Sequence, residues 1–150
     1  MSMEIEVTIK ETAPMTIAFI EKKGPFKQMP ESIGMLYGWI GQKGFVPSGP
    51  PSGVYFIWEA RSPIAGELPE IAPNEHGLGV KRIGSQLVAS TLYQGPYDQV
   101  HSTYEALMAW IHKNGFEISG PPEEVYLTDP SVTPPEKLMT EIRFAIKKSA

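Results

Sequence analysis

GPFKQMPESIGMLYGWIGQKGFVPSGPPSGVY over residues 24–55 and GPYDQVHSTYEALMAWIHKNGFEISGPPEEVY over residues 95–126 are the same unit written twice, 71 positions apart. They align without a gap and share 14 of 32 residues, among them Trp39/Trp110, Gly44/Gly115, Phe45/Phe116 and Gly49-Pro50-Pro51/Gly120-Pro121-Pro122. A period this long in a chain of 150 residues means two copies and not a solenoid. Two copies of one supersecondary unit are expected to pack about a pseudo-two-fold axis, which creates a shared cleft. Function is then sought where the copies differ.

Working outward, each copy opens with an apolar strand, Met15–Ile20 in one and Gln86–Tyr93 in the other, and both strands end at Gly-Pro. The helix that follows carries Met29, Ile33, Leu36, Tyr37 and Ile40 in the first copy. Val100, Tyr104, Leu107, Met108 and Ile111 take the same spacing in the second. That is the stripe of an amphipathic helix, and Gly44 and Gly115 stand where a left-handed C-terminal cap belongs. Gly-Pro-Pro then leads into a second strand, Val54–Trp58 or Val125–Thr128. A third strand is expected over Thr140–Ile146 in the second copy and near Leu78–Ile83 in the first, after a long polar loop over 61–77. Alternation of Ile5, Val7 and Ile9 adds an N-terminal strand. The expected class is α+β: a tandem pseudo-two-fold duplication of a β-α-β-β unit, with two helices packed on one face of an antiparallel-rich sheet. It is read as a single domain over 1–150, with repeats at about 5–83 and 84–148.

Composition narrows the function. No apolar run reaches the ~20 residues of a membrane span, and Met1-Ser2-Met3-Glu4 has neither the basic nor the apolar region of a secretory signal. The chain has no cysteine, which excludes disulfides, thiol nucleophiles and thiolate metal sites. A cytoplasmic protein is expected. Thirteen basic residues against seventeen acidic ones leave a net charge of −4 with no basic stripe, so direct nucleic-acid binding is not expected. His76, His101 and His112 lack metal-ligand spacing, and no phosphate-cradling or nucleophile-elbow motif occurs, so no metal and no cofactor is expected.

The run Gly95-Pro96-Tyr97, an amphipathic helix with Trp110, Gly115-Phe116, Gly120-Pro121-Pro122-Glu123-Glu124-Val125-Tyr126 and Thr140-Glu141-Ile142-Arg143 resembles the gyrase-inhibitor-like (GyrI-like) family. The same domain is the effector-binding part of multidrug-responsive MerR-type and AraC-type transcription regulators. The resemblance covers nearly the whole chain and is most specific over residues 95–144. It implies a pocket between the two helices and the sheet, lined by aromatics, in which a buried glutamate meets lipophilic cations. It also implies that stand-alone members can be hydrolases of cyclopropanoid compounds that use this glutamate and neighbouring rings.

The residues singled out carry two readings each. Glu124 lies two residues before Tyr126, hence on the same strand face, and its counterpart in the first copy is Gly53, a carboxylate on one side and empty space on the other. Burial would raise its pKa and a cationic guest would lower it; otherwise Glu123 and Glu124 are a solvated turn pair. Tyr55 and Tyr126 occupy matching places and either sandwich a flat guest or fill the core. Trp39 and Trp110 fall on the flank of their helix stripes, where they wall a cleft or cap the core; the resemblance favours the pocket for Trp110. Met29, Ile33, Val100 and Tyr104, on the first turns of the stripes, are either an apolar pocket wall or plain packing. Phe56 and Trp58 are expected on the strand face opposite Tyr55, as a partner patch if solvated. Glu59 is expected to be solvated, and Glu141 to form a surface ion pair with Arg143.

Three functions are consistent with this pattern. The first is binding of small hydrophobic, aromatic, cationic compounds in the cleft between repeats, as an effector or drug-sequestering domain. The second is a small hydrolase of cyclopropanoid or other strained molecules, with Glu124 as catalytic carboxylate beside Tyr126 and Trp110. The third is inhibition of a protein partner such as gyrase.

Overall fold

The computed structural model describes residues 5–21 and 29–149. Gly24-Pro25, the expected stop of the first strand, lies outside the described residues. In chain order the elements are β1 (Thr8–Glu11), β2 (Met15–Glu21), α1 (Met29–Lys43), β3 (Ser52–Val54), β4 (Glu59–Pro63), β5 (Leu78–Ile83), β6 (Leu87–Gln94), α2 (His101–Lys113), β7 (Phe116–Ile118), β8 (Glu123–Tyr126) and β9 (Met139–Lys148). Short 3-10 turns at Tyr97–Gln99 and Pro135–Lys137 complete the described residues. The class is α+β, and the strand pairings within each unit are antiparallel.

Two compact units divide the chain. The first runs from Ala13 to Ser85, and the second from Gln86 onward together with the N-terminal residues up to Thr12. In the first unit the strands pair in the order β3-β4-β2-β5. In the second they pair as β8-β9-β6-β1, with β7 also on β9. The registers match as well. Ser52, Gly53 and Val54 face Arg61, Ala60 and Glu59, while Glu123, Glu124 and Val125 face Arg143, Ile142 and Glu141.

The edge strands carry the correspondence further. Lys81 of β5 faces Ile17, and Lys10 of β1 faces Val88. Lys10 and Lys81 are 71 positions apart, as are Ile17 and Val88. So β1, which leads into β2 along the chain, pairs with β6, and β5, which leads into β6, pairs with β2. Each edge lysine reaches a glutamate of its unit. Lys10 Nζ is 2.8 Å from Glu141 Oε2, and Lys81 Nζ is 2.8 Å from Glu59 Oε1.

Burial explains the strands. β2, Met-Thr-Ile-Ala-Phe-Ile-Glu, is rich in β-branched and aromatic residues and lies between β4 and β5. Ile17, Ala18, Phe19 and Ile20 are all at 2% exposure or less, so both faces are covered. In the second unit Leu107 and Ile111 of α2 pack on Ala89, Tyr93, Ile142, Phe144 and Ile146. Each such aliphatic side chain contributes about 1.5–3 kcal/mol of transfer free energy. Both helices close on a glycine with positive φ, Gly44 at 72° and Gly115 at 83°. At the first, the Phe45 N–H donates to Ile40 O at 3.1 Å, the long bond of a Schellman cap.

The hairpin after Gly-Pro-Pro differs from its sequence reading. β3 ends at Val54, and Tyr55–Trp58 is a turn rather than strand. The strand resumes as β4, which is the third strand of this copy and takes the first residues of the expected 61–77 loop; Leu78–Ile83 is instead the edge strand β5. The turn needs left-handed backbone at Phe56 (φ 77°) and Trp58 (φ 54°), which Tyr-Phe-Ile-Trp does not announce. Phe56 and Trp58 therefore do not share a strand face opposite Tyr55. Phe56 is 77% exposed, whereas Trp58 sets its ring edge-on to Tyr55 at 5.9 Å. Tyr55 itself is buried.

Candidate ligand site

Strand alternation sends the adjacent pair Glu123-Glu124 to opposite faces of the second unit's sheet. Glu123 takes the polar face, where Arg143 Nε and Nη2 donate to its Oε1 at 3.1 and 3.0 Å. Glu124 takes the helix face and is 2% exposed. The solvated turn pair is thus excluded for both residues.

Tyrosines gather around Glu124. The Tyr104 hydroxyl, from the first turn of α2, donates to Glu124 Oε2 at 2.5 Å, a short charge-assisted hydrogen bond. The Tyr126 hydroxyl donates to Oε1 at 3.4 Å. Tyr97 sets its ring edge-on to Tyr126, centroids 5.6 Å apart. Burial, with the charges of Glu124 and Asp129, pushes the Tyr97 phenol above its ordinary value, so it stays protonated through the neutral range. Tyr104 in turn packs edge-on to Phe144 at 6.0 Å. The result is a buried carboxylate set among phenol rings, groups whose chemistry attracts positive charge.

Of the residues expected at the site, Glu124, Tyr126 and Tyr104 are brought together. Val100 is half-buried at the start of α2 and packs on the core below. Trp110, also half-buried, lies six residues past Tyr104, about 9 Å further along the helix, and packs against the same core. Met29, Ile33, Trp39 and Tyr55 belong to the first unit. There Trp39 is only 8% exposed and edge-on to Phe45 at 5.8 Å, which fits the second of its two readings, a cap on the core. Ile33 is half-buried. The space expected at Gly53 is filled: a Cβ there would lie 2.9 Å from Met29 Sδ, and Met29 is buried. Met29 stands in the first copy where a side chain stands in the second.

Two further expectations are corrected. Glu59 is 2% exposed, held by Arg61 Nε at 2.8 Å and by Lys81. Glu141 does pair with Arg143 (3.6 Å), but its side chain is only 12% exposed and also binds Lys10 and the Ser90 hydroxyl (2.8 Å). A cavity of about 680 Å³ opens in the first unit, lined by Glu21, Met35, Ile57, Glu59 and residues 73–77. None of the expected site residues lines it, and it offers no tyrosine or tryptophan.

Tyr97 was not singled out by sequence reasoning, although Gly-Pro-Tyr places an aromatic ring just ahead of the helix that carries Tyr104. Thr140 was also passed over, as part of a strand. It is 1% exposed and stands in register between Tyr93 of β6 and Tyr126 of β8.

The model of a family described as the GyrI-like small molecule binding domain matches residues 5–147. Among solved structures, EcmrR in a DNA complex aligns with a TM-score of 0.81 at 19% identity, over 95% of this chain and 57% of that one. This chain thus spans little more than half of that protein. The EcmrR C-terminal domain alone aligns at 0.75 and 21% identity, over 97% of this chain and 99% of the domain. A hydrolase from Listeria innocua aligns at 0.69 and 16% identity, over 96% and 93% of the two chains. SAV2435 bound to tetraphenylphosphonium aligns at 0.56 and 19% identity, over 95% and 94%. At these identities the likeness is one of fold. No curated protein matches this sequence. Among the described residues no helix is long and apolar enough to cross a membrane.

Proposed function

The chain belongs to the GyrI-like small molecule binding domain family, and from that premise we propose that it binds small hydrophobic, aromatic cations at Glu124, as an effector or drug-sequestering domain. The observation that carries the reading is the Glu124 carboxylate, 2% exposed and hydrogen-bonded by Tyr104 and Tyr126. Removing a carboxylate from water costs several kcal/mol. A cation beside it returns part of the lost solvation, and each ring face turned toward the cation adds about 0.5–2 kcal/mol. Tetraphenylphosphonium on the fold relative SAV2435 supports a lipophilic cation as the ligand class.

The test is fluorescence titration with a rhodamine cation and a neutral dye of similar size, wild type beside Glu124→Gln. The cation should bind at micromolar concentration, and the substitution should weaken it at least about tenfold, or 1.4 kcal/mol, with the neutral dye little changed. Equal losses for both dyes, or none for either, would overturn the electrostatic role.

A second reading, hydrolysis of a strained, cyclopropanoid substrate, is favoured by the 2.5 Å contact from Tyr104 that orients Glu124 as a general base. The fold likeness to the Listeria innocua hydrolase supports it as well. Turnover that survives Glu124→Gln in a folded protein would remove that role.

A further inference from the structure

Thr140 Oγ1 is buried and has no hydrogen-bond partner among the described residues. The residue is 1% exposed. It faces Tyr93 on one neighbouring strand and Tyr126 on the other. Its pleat parity is that of Ile142 and Phe144, so its side chain is on the face that carries Glu124 and Tyr126. Glu124 faces Ile142, which makes Glu124 and Thr140 diagonal neighbours across β8 and β9, about 7–8 Å apart at the backbone. The flanking hydroxyls are engaged elsewhere, Tyr93 donating to Pro96 O at 2.6 Å and Tyr126 to Glu124.

A buried hydroxyl without a partner is costly, and valine would fill the same volume without that cost. The group marks a place where a polar atom arrives from outside the fold. A protonated primary or secondary amine held against Glu124 by one N–H can direct another at a neighbouring hydroxyl oxygen, whereas a tertiary ammonium has none to spare and a quaternary ammonium or phosphonium centre has none at all. We propose that Thr140 is a specificity-determining residue of the Glu124 site: its Oγ1 accepts a hydrogen bond from the ligand's N–H, so the site prefers protonated primary or secondary amines to tertiary and quaternary cations of the same shape. The proposal rests on the cation-binding reading above and narrows it.

The experiment uses the full chain and a matched pair of probes, N-methyl-1-naphthylmethylamine, which has two N–H groups when protonated at pH 7, and its N,N-dimethyl counterpart, which has one. Wild type should bind the secondary amine about tenfold more tightly, the scale of one hydrogen bond to a charged donor. Thr140→Val should bring the two affinities within about twofold, and Thr140→Ser, which keeps the hydroxyl, should retain the preference. Without ligand, Thr140→Val should unfold at a temperature no lower than wild type. Three results would each overturn the proposal: no preference in wild type, a preference that survives Thr140→Val, or a Thr140→Val midpoint several degrees lower, which would mean the fold already uses the hydroxyl. Equal binding of both probes with dependence on Glu124 intact defeats this proposal alone. Binding of neither probe, or of both with no loss in Glu124→Gln, defeats the cation reading and this proposal with it.

Discussion

Glu59 and Glu141 hold the same register position in their respective units: Glu59 faces Val54, Glu141 faces Val125, and Val54 and Val125 are 71 positions apart. Each has an arginine two residues on, Arg61 or Arg143, and each takes a lysine from an edge strand, Lys81 or Lys10. The lysine of each trio is separated from its glutamate by many residues, so these ion pairs tie distant segments of a unit together.

Acid should weaken one of these ties in a defined direction. Burial by itself raises the Glu141 carboxyl, but hydrogen bonds from Lys10 and Ser90, with the charges of Lys10 and Arg143, outweigh it and hold the pKa below its ordinary 4.5. A carboxyl depressed on folding contributes stability that is present above the unfolded-state pKa and lost as pH falls through the folded-state value. Glu141→Gln should therefore cost about 1–3 kcal/mol at pH 7, and its gap from wild type should close as pH drops below about 4.5. Urea denaturation at several pH values measures this; a gap independent of pH would contradict it.

The pairing of Gly53 with Met29 can be tested by exchanging volume. Gly53→Ala would drive a Cβ to 2.9 Å from the Met29 Sδ and Cε atoms, at a cost of about 1–3 kcal/mol for overpacking. Shortening the partner in the double variant Gly53→Ala/Met29→Ala should make the alanine at 53 cost less than it does alone. Strictly additive losses in a double-mutant cycle would show that the two positions do not compete for space.

Strain in the Tyr55–Trp58 turn predicts a stabilising change. Phe56 sits at φ 77° with its ring 77% exposed, so the side chain adds little packing while the backbone is held in the left-handed region. Phe56→Gly removes about 1–2 kcal/mol of steric cost and adds about 0.5–1 kcal/mol of unfolded-chain entropy. A net gain of about 0.5–1 kcal/mol is expected from thermal or urea unfolding, and a loss would mean that the exposed ring makes contacts that matter to the fold.

Legibility in the sequence followed the range of the interactions. The helices were readable because Met29, Leu36, Ile40 and their counterparts repeat at 3.6-residue spacing and because Gly44 and Gly115, with the residues beside them, close the last turn through bonds to residues three to five positions back. Glu124 and Tyr126 were readable as a pair sharing a face because strand period alone requires it. The turn at Tyr55–Trp58 was missed because four large apolar residues look like strand, and the reversal is imposed by the pairing of β3 with β4. Glu59 looked solvated because nothing near it in sequence announces Lys81.

By itself, then, the sequence determined the duplicated unit, the α+β class, both helices with their caps, and Glu124 as a position where the copies diverge in charge. These are local periodicities and residue identities, set by hydrogen bonds and side-chain spacing within a few residues. Only the tertiary structure decided that Tyr97 and Tyr104 join Tyr126 around Glu124, that Met29 fills the place beside Gly53, and that Lys10 reaches Glu141. It also decided that Thr140, between Tyr93 and Tyr126, has a hydroxyl with no hydrogen-bond partner among the described residues. Those outcomes depend on register between strands far apart in the chain, which burial of whole faces selects and no single stretch of residues encodes.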